Sequence, residues 1–290
     1  MQWGRLLLGE CTPYVGVSLA GWDDLPDVAN GTVPMPTQHG AWPGDLLAGV
    51  RVLTFDFRIL PERLADFPAV LARLLAATGI RQDEAPLVVQ LAGVRRVVWA
   101  RVTRRAVMAD RVYTRGEPTG TLVWEASDPR RYEVRQHVVS TGLPTPEQGL
   151  GWPLAWPLDW REPGAAPHVR RWSGPGNGRL TVVNAGDAPA HPLVEFRGPL
   201  LRPTLTDVAT GRTLEYAIGL GHGQVLTVDC AAGTATLNGE ESRLYTASGH
   251  SIPERLFTID PGTSVFAFSG ERGFYDPGAS VSIAWRSAYW

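Results

Sequence analysis

Regular alternation of apolar and polar side chains predicts that most of this chain forms β-strands. Within Val50–Ile59, the apolar residues Leu53, Phe55, Phe57 and Ile59 alternate with polar ones, as expected of a strand with one buried face. Further strands are predicted at Tyr14–Leu19, Leu87–Leu91, Val97–Val107 and Thr119–Ala126. The rest of residues 1–49 is rich in Pro and Gly, so we expect turns there.

One helix is predicted, near residues 68–77. Apolar residues from Leu64 to Leu75 recur at steps of three and four, which is the helical period. Pro68 has no N–H to donate in a helix interior, so Asp66 is expected to cap the helix start and Pro61–Ala65 to form a separate turn. Residues 1–140 are therefore predicted to be a β-rich domain with one helix.

Residues 141–178 have a different composition, with seven prolines. They contain the short repeat Trp152-Pro-Leu-Ala-Trp156-Pro-Leu-Asp-Trp160. Prolines at this spacing exclude a helix and favour extended backbone. Because three exposed indoles would be costly, we predict that this linker docks on a surface, and Trp152, Trp156 and Trp160 are candidates for interdomain or partner docking.

Short strand patterns with turns between them recur throughout residues 179–290, with no helical pattern. The predicted strands are Leu180–Asn184, Leu193–Arg197, Thr204–Val208, Thr213–Tyr216, Gln224–Asp229, Thr234–Leu237, Leu256–Ile259, Ser264–Phe268 and Val281–Trp285. Asn238-Gly239 is a typical hairpin turn. This pattern predicts a β-sandwich or jelly roll, so the fold class expected of the chain is all-β with one short helix.

Composition excludes several classes of protein. Of the 290 residues 44% are hydrophobic, too many for a disordered chain. No apolar run is long enough for membrane insertion, and two cysteines cannot form a disulfide framework. The formal net charge is -2. All 27 basic residues are Arg, which we attribute to a GC-rich genome. The N-terminus has no secretory signal pattern, so synthesis in a cytoplasm is expected.

The sequence contains no motif typical of catalysis or cofactor binding. The glycine-rich runs 174–178 and 219–223 do not lie between a strand and a helix, as a phosphate loop would. No His pairs with another His or Cys at metal-ligand spacing. Ser248-Gly-His250 and Glu240-Glu241 fit loops better than a nucleophile or a pair of glycosidase carboxylates. We therefore expect no enzyme activity, no metal and no cofactor.

Positive charge is concentrated between Arg95 and Arg135. Ten Arg and five acidic residues give this stretch a charge of +5, which leaves -7 on the rest of the chain. Few aromatic residues accompany the Arg, so a subunit interface is favoured over nucleic-acid binding. The candidate interface residues are Arg95, Arg96, Arg101, Arg104 and Arg105.

Three stretches together resemble the distal tail proteins of siphophages. They are Gly49 to Phe57 with the following helix, Leu122-Val-Trp-Glu-Ala-Ser-Asp-Pro-Arg-Arg-Tyr132, and Gly149-Leu-Gly-Trp-Pro-Leu-Ala-Trp-Pro-Leu158. The last is similar to a G-L-x-x-P-L-x-[FW]-P-L run in that family. Each motif is short, and their order along nearly the whole chain carries the resemblance.

The resemblance implies a structural virion protein at the tail tip. Its first domain, with a β-sandwich or split-barrel-like fold, would form a hexameric ring with a channel, next to the tail tube protein. The tape-measure protein and DNA would pass through without specific nucleic-acid binding. The second domain would be a galectin-like sandwich that holds a tail-tip, fibre or receptor-binding protein.

Two other hypotheses stay open. One is a carbohydrate-binding module that adsorbs to host cell-wall glycans. Its candidate stacking residues are Trp152, Trp156, Trp160, Trp172, Tyr216, Tyr245 and Tyr275. The other is a related hub protein of a contractile or phage-derived particle.

Overall fold

The computed structural model describes residues 1–144 and 177–290. Its contacts divide the chain into two compact units. Unit 1 comprises Met1–Arg135 together with Ala288–Trp290, and unit 2 comprises Gln136–Ser287. The predicted bounds of 1–140, 141–178 and 179–290 stay a prediction. They differ from these units mainly in that the last three residues of the chain return to unit 1.

Unit 1 is built on one large antiparallel sheet. The strands of unit 1 that precede the long strand β10 are β1 (Gln2–Trp3), β2 (Leu6–Leu7), β3 (Tyr14–Ala20), β4 (Val28–Asn30), β5 (Val33–Pro34), β6 (Ala41–Trp42), β7 (Leu46–Ala48), β8 (Arg51–Ile59) and β9 (Ala85–Leu91). Of these, β4 to β7 lie outside the large sheet. The remaining strands up to residue 135 are β10 (Val94–Val107), β11 (Thr119–Ala126) and β12 (Arg131–Glu133). The order across the main sheet is β2-β1-β9-β10-β11-β8-β3.

One α-helix, α1 (Phe67–Ala77), packs on this sheet. Buried side chains from both elements form one core, including Leu53, Phe57, Leu74 and Trp124. The Tyr14 hydroxyl donates a hydrogen bond to the Val70 carbonyl oxygen at 2.8 Å, which ties β3 to the helix.

The helix start agrees with the predicted position but not with the predicted capping bond. Asp66 is the N-cap residue, and its carboxylate accepts no capping hydrogen bond. The reason is that a 3-10 turn at Leu64–Asp66 runs directly into the helix, so Asp66 already has helical backbone angles. A second 3-10 turn lies at Tyr113–Arg115.

Residues 27–50 form a long hairpin between β3 and β8, which we call the arm. Strand β4 pairs with β7, and further out β5 pairs with β6. Every residue of this range is described, and none of their side chains is buried. The sequence predicted turns here, because the strands are only two or three residues long and lack a buried face.

Unit 2 contains two larger sheets. Its strands up to the middle of the unit are β13 (His137–Gly142), β14 (Arg179–Asn184), β15 (Leu193–Arg197), β16 (Leu200–Leu201), β17 (Thr204–Asp207), β18 (Thr213–Glu215) and β19 (Gly219–Leu220). They are followed by β20 (Val225–Asp229), β21 (Thr234–Leu237), β22 (Glu241–Ser242), β23 (Gly262–Ser269) and β24 (Ser280–Trp285). One sheet has the order β13-β24-β15-β20-β21-β22 and the other β14-β23-β17-β18. A final strand, β25 (Ala288–Tyr289), pairs with β12 in unit 1.

The two sheets of unit 2 pack through aromatic side chains. The ring centroids of Phe196, on β15, and Phe268, on β23, lie 6.2 Å apart. Residues on these strands alternate between buried and less buried positions, as in a sandwich. The chain is therefore all-β with one short helix, as predicted; the galectin-like and split-barrel-like descriptions stay predictions.

One predicted element of unit 2 differs from the structure, and one strand pairing was not predicted. The predicted strand Leu256–Ile259 is wrong, since a 3-10 turn occupies Glu254–Leu256 and only Ile259 forms a bridge, with Ala190. The fold also pairs β13 with β24, which lie about 140 residues apart in the chain. No local pattern could indicate this pairing.

Candidate assembly surface

The arginine-rich segment lies mainly on β10, the longest strand of unit 1. The first half of β10 pairs with β9, and its second half pairs with β11. A β-bulge lies between Val102 and Arg104. Because a bulge inserts one extra residue, it reverses the face on which each following side chain lies.

The bulge places Arg101 and Arg104 on one face of the sheet, which we call the outer face. Their cross-strand partners are Glu125 and Val123 respectively. An Arg101 nitrogen lies 3.0 Å from a Glu125 carboxylate oxygen, and both side chains are partly exposed. Arg104 is exposed and has no ion-pair partner within the described parts of the chain.

The outer face continues onto β8 with mixed chemistry. In register with β11, it presents Val52, Thr54, Asp56 and Arg58. Hydrogen bonds from Thr121 and Ser18 lower the pKa of Asp56. The result is a broad face with apolar, polar and charged side chains, which is typical of a protein interface.

Arg105 lies on the opposite face, toward the helix. One guanidinium nitrogen of Arg105 donates to the carbonyl oxygens of Leu75 at 2.9 Å and Thr78 at 3.2 Å. It also lies 3.1 Å from the Thr78 hydroxyl oxygen. These carbonyls belong to the helix C-terminus, where acceptors lack helical partners and a cation is favoured. Arg105 thus has a structural role within its own subunit.

The other two candidate arginines also contact their own chain. Arg95 donates to the Gln90 side-chain oxygen at 2.7 Å across the β9–β10 pair. The Arg96 guanidinium carbon lies 3.3 Å from the centroid of the Tyr289 ring, near the C-terminus. The structure therefore brings Arg101 and Arg104 together on one face and separates them from Arg105. The role of all five arginines in an interface stays a prediction.

The Asp-Pro-Arg-Arg-Tyr132 motif forms a compact turn in unit 1. The Asp128 carboxylate accepts hydrogen bonds from Arg130 at 2.8 Å and from the Tyr132 hydroxyl at 2.5 Å. Burial raises the pKa of Asp128, but the Arg130 and Tyr132 hydrogen bonds outweigh it and lower that pKa overall. The motif is thus a structural turn that leads into β12.

The predicted docking residues Trp152, Trp156 and Trp160 lie outside the described residues, as does Trp172. Of the other candidates for sugar stacking, Tyr216 is fully buried, and its hydroxyl donates to Glu254 at 2.8 Å. Tyr275 is partly exposed, and Tyr245 is 78% exposed. Among the described candidates, then, only Tyr245 offers most of its ring to a ligand.

Within residues 1–144 and 177–290, no three His, Cys, Asp or Glu side chains are grouped as a metal site would require. No helix in this part of the chain has the length and apolar character needed to cross a membrane. Ser248 is engaged with its own loop, since its hydroxyl oxygen accepts the His250 backbone N–H at 3.2 Å.

The arm is the surface feature that the sequence patterns missed. Its large side chains are exposed, with Trp42 at 53%, Leu46 at 68% and Leu47 at 66%. One sequence signal could have indicated it. Residues 6–50 contain five acidic residues and no Arg or Lys. A segment that is apolar, acidic and without a core is a candidate for contact with a basic partner.

Comparison with known proteins agrees with this architecture. The family model for the C-terminal domain of a siphovirus-type tail component, SPP1_Dit, matches residues 185–289. No curated protein matches the chain. Among solved structures, the Dit protein of phage SPP1 is similar at 12% identity with a TM-score of 0.62, over 96% of this chain and 94% of that one. That protein is described as a paradigm of the hub adsorption apparatus in phages that infect Gram-positive hosts.

A second similar structure is the baseplate of phage P2 in its activated conformation with Ca. The identity is 9% and the TM-score 0.50, over 94% of this chain and 91% of that one. At these identities the likeness to solved structures shows a shared fold, and the family model adds a match that is confined to residues 185–289. Residues 185–289 match the siphovirus-type tail-component C-terminal domain, and the predicted resemblance of the chain to the siphophage distal tail proteins is confirmed.

Proposed function

We propose that this chain is the distal tail protein of a siphophage and forms a hexameric ring at the tail tip. The observation that carries the proposal is the combination of two matches. The family match covers residues 185–289, and the likeness to SPP1 Dit extends over 96% of the chain. The role is structural rather than enzymatic.

Unit 1 would form the ring. A closed ring of identical subunits needs two complementary patches on each subunit, since the contacts run head to tail. The outer face around Arg101 and Arg104 supplies one patch of mixed apolar and charged character, on which Arg104 is an exposed cation. Its mixed chemistry suits a protein interface better than a small-molecule site.

The ring would join the tail tube to the tip and leave a central channel. Tail tube protein would stack on one side, and the tape-measure protein and the genome would pass through the opening. The DNA would pass without specific binding, because the outer-face arginines are engaged in subunit contacts. Unit 2 would hold the tail-tip hub, fibre or receptor-binding protein.

The experiment is to purify the full chain and measure its mass and shape in solution. Light scattering and negative-stain imaging should show six-fold rings, either of the chain alone or after addition of tail tube protein. A strict monomer under both conditions would contradict the proposal. Binding of the monomer to host glycans would then favour the carbohydrate-binding hypothesis, for which Tyr245 is the exposed aromatic.

A further inference from the structure

The arm is an ordered hairpin without a core of its own. Its register is set by the pairs Val28–Ala48, Asn30–Leu46 and Val33–Trp42. Gly31 and Gly44 approach so closely that a Cβ built on Gly44 would lie 2.2 Å from the Gly31 carbonyl oxygen. A lone two-stranded hairpin is marginally stable in water. An arm of this length is therefore expected to gain stability from a surface on which it docks.

Both sides of the arm hairpin carry exposed apolar side chains. Trp42, Leu46 and Leu47 are each more than half exposed, and Val28 and Val33 are exposed at 45% and 57%. Exposed apolar groups at this density are typical of an interaction surface. The anchors, one Trp and two Leu, have the size of side chains that fill pockets at interfaces.

The charge of the arm identifies the kind of partner. Its acidic residues, Asp27 and Asp45, have no ion-pair partner within residues 1–144 and 177–290, and the arm contains no Arg. A partner should therefore present cations beside apolar groups. The outer face of unit 1 presents such groups, with Arg104 and Arg58 exposed and with Val52 47% exposed. Its two carboxylates already have partners on the same face: Glu125 pairs with Arg101, and Asp56 accepts hydrogen bonds from Ser18 and Thr121.

From this complementarity we infer that the arm of one subunit docks on the outer face of a second copy of the chain. The arm and the outer face are two different patches of one subunit, so the contact is head to tail and can close a ring. The inference rests on the proposed function, and it specifies which two surfaces of the ring subunit meet.

A first experiment compares two matched substitutions in the full chain. Leu46→Asp changes an arm residue that is 68% exposed, and Leu256→Asp changes a unit 2 residue that is 62% exposed. The arm variant should raise the concentration for half-assembly of rings by about tenfold or more. The unit 2 variant should assemble like the unmodified chain. Equal assembly of both variants would overturn the inference.

A second experiment locates the contact directly. One chain carries Leu46→Cys and another carries Val52→Cys, both with Cys11→Ser, and the two are mixed before assembly. A flexible bis-maleimide linker should join the two chains. The control replaces Val52→Cys by Val183→Cys, at a position 51% exposed in unit 2, and should give no product.

The outcomes separate the inference from the proposed function. Rings without the Leu46–Val52 cross-link would overturn the arm contact and leave the ring standing. Capture of tail tube protein by the arm, in place of a second copy, would also overturn it. Absence of rings in the unmodified chain, with or without tube protein, would instead contradict the proposed function.

Discussion

Arg105 donates a hydrogen bond from its guanidinium to the carbonyl oxygen of Thr78, at 3.2 Å, at the end of the only α-helix described in this chain. The same guanidinium nitrogen also donates a hydrogen bond to the carbonyl oxygen of Leu75, on the last helical turn. One arginine of a cluster that suggested an interface therefore stabilises its own subunit, while Arg104, the residue before it, lies on the outer face.

This relationship predicts different effects for two neighbouring arginines on stability. Arg105→Ala should lower the free energy of unfolding by about 1–2 kcal/mol, because several helix-terminal acceptors lose a charged donor. Arg104→Ala should change it by less than about 0.5 kcal/mol. Urea denaturation of both variants measures the difference, and hydrogen exchange of the helix amides localises it. Equal stability of the two variants would show that the Arg105 contacts contribute nothing.

In ring assembly the order of importance should be reversed, with Arg104 contributing more than Arg105. Arg104→Glu should weaken ring formation by about tenfold and leave the melting profile unchanged, because its side chain lies on the outer face and has no partner in the described chain. Arg101→Glu should weaken both, since it places two carboxylates opposite each other at Glu125. Sedimentation and thermal melting of the same samples test this. Normal rings with Arg104→Glu would mean that this arginine is simply solvated.

The core of unit 2 should lose stability at alkaline pH. Burial and the Glu254 hydrogen bond raise the pKa of Tyr216, and burial and nearby Asp229 raise the pKa of Cys230. Both groups stay protonated in the folded state. The unfolded chain loses these protons first, near pH 8.5 for Cys and 10 for Tyr.

Their contribution is therefore complete at neutral pH and falls as the pH rises, by about 1.4 kcal/mol per pH unit for each group. Denaturation of the full chain between pH 7 and 11 should show the decline. Tyr216→Phe and Cys230→Ala should each make the fall in the free energy of unfolding with pH less steep. The change should begin at about pH 10 for Tyr216→Phe and at about pH 8.5 for Cys230→Ala, where the removed group would titrate in the unfolded chain. A stability that is independent of pH over this range would contradict the prediction.

The two thiols should differ sharply in reactivity. Cys11 is exposed and Cys230 is buried. At neutral pH a maleimide should label one thiol per chain quickly, and the second should react only after unfolding. Cys11→Ser should abolish the fast reaction and leave the slow one. Fast labelling of Cys230 in the folded chain would show that unit 2 opens readily.

Much of the fold could be predicted because its strands have one buried face. Thr119–Ala126 was predicted with its observed bounds, and its burial alternates without exception. In such a strand the alternation of residue types follows the alternation of burial, so the sequence alone is enough to predict the strand. The arm has no buried face, so period-two alternation was absent and the Pro and Gly residues suggested turns.

The division of the arginines could not be predicted for a different reason. By simple alternation Arg101 and Arg105 share one face. The bulge between Val102 and Arg104 shifts the register, which moves Arg105 to the helix side and brings Arg104 to the outer face. A bulge depends on how two strands pair, which a single strand's sequence does not specify. The pairing of β13 with β24 is similarly set by distant residues.

The central claim is that six copies of this chain form a ring at the tip of a siphophage tail. Cryo-electron microscopy of the assembled particle tests it most directly. The account predicts six-fold density at the end of the tail tube into which this fold fits, with unit 1 around an open channel. Density for this chain elsewhere in the particle, or its absence from the tail tip, would contradict the account.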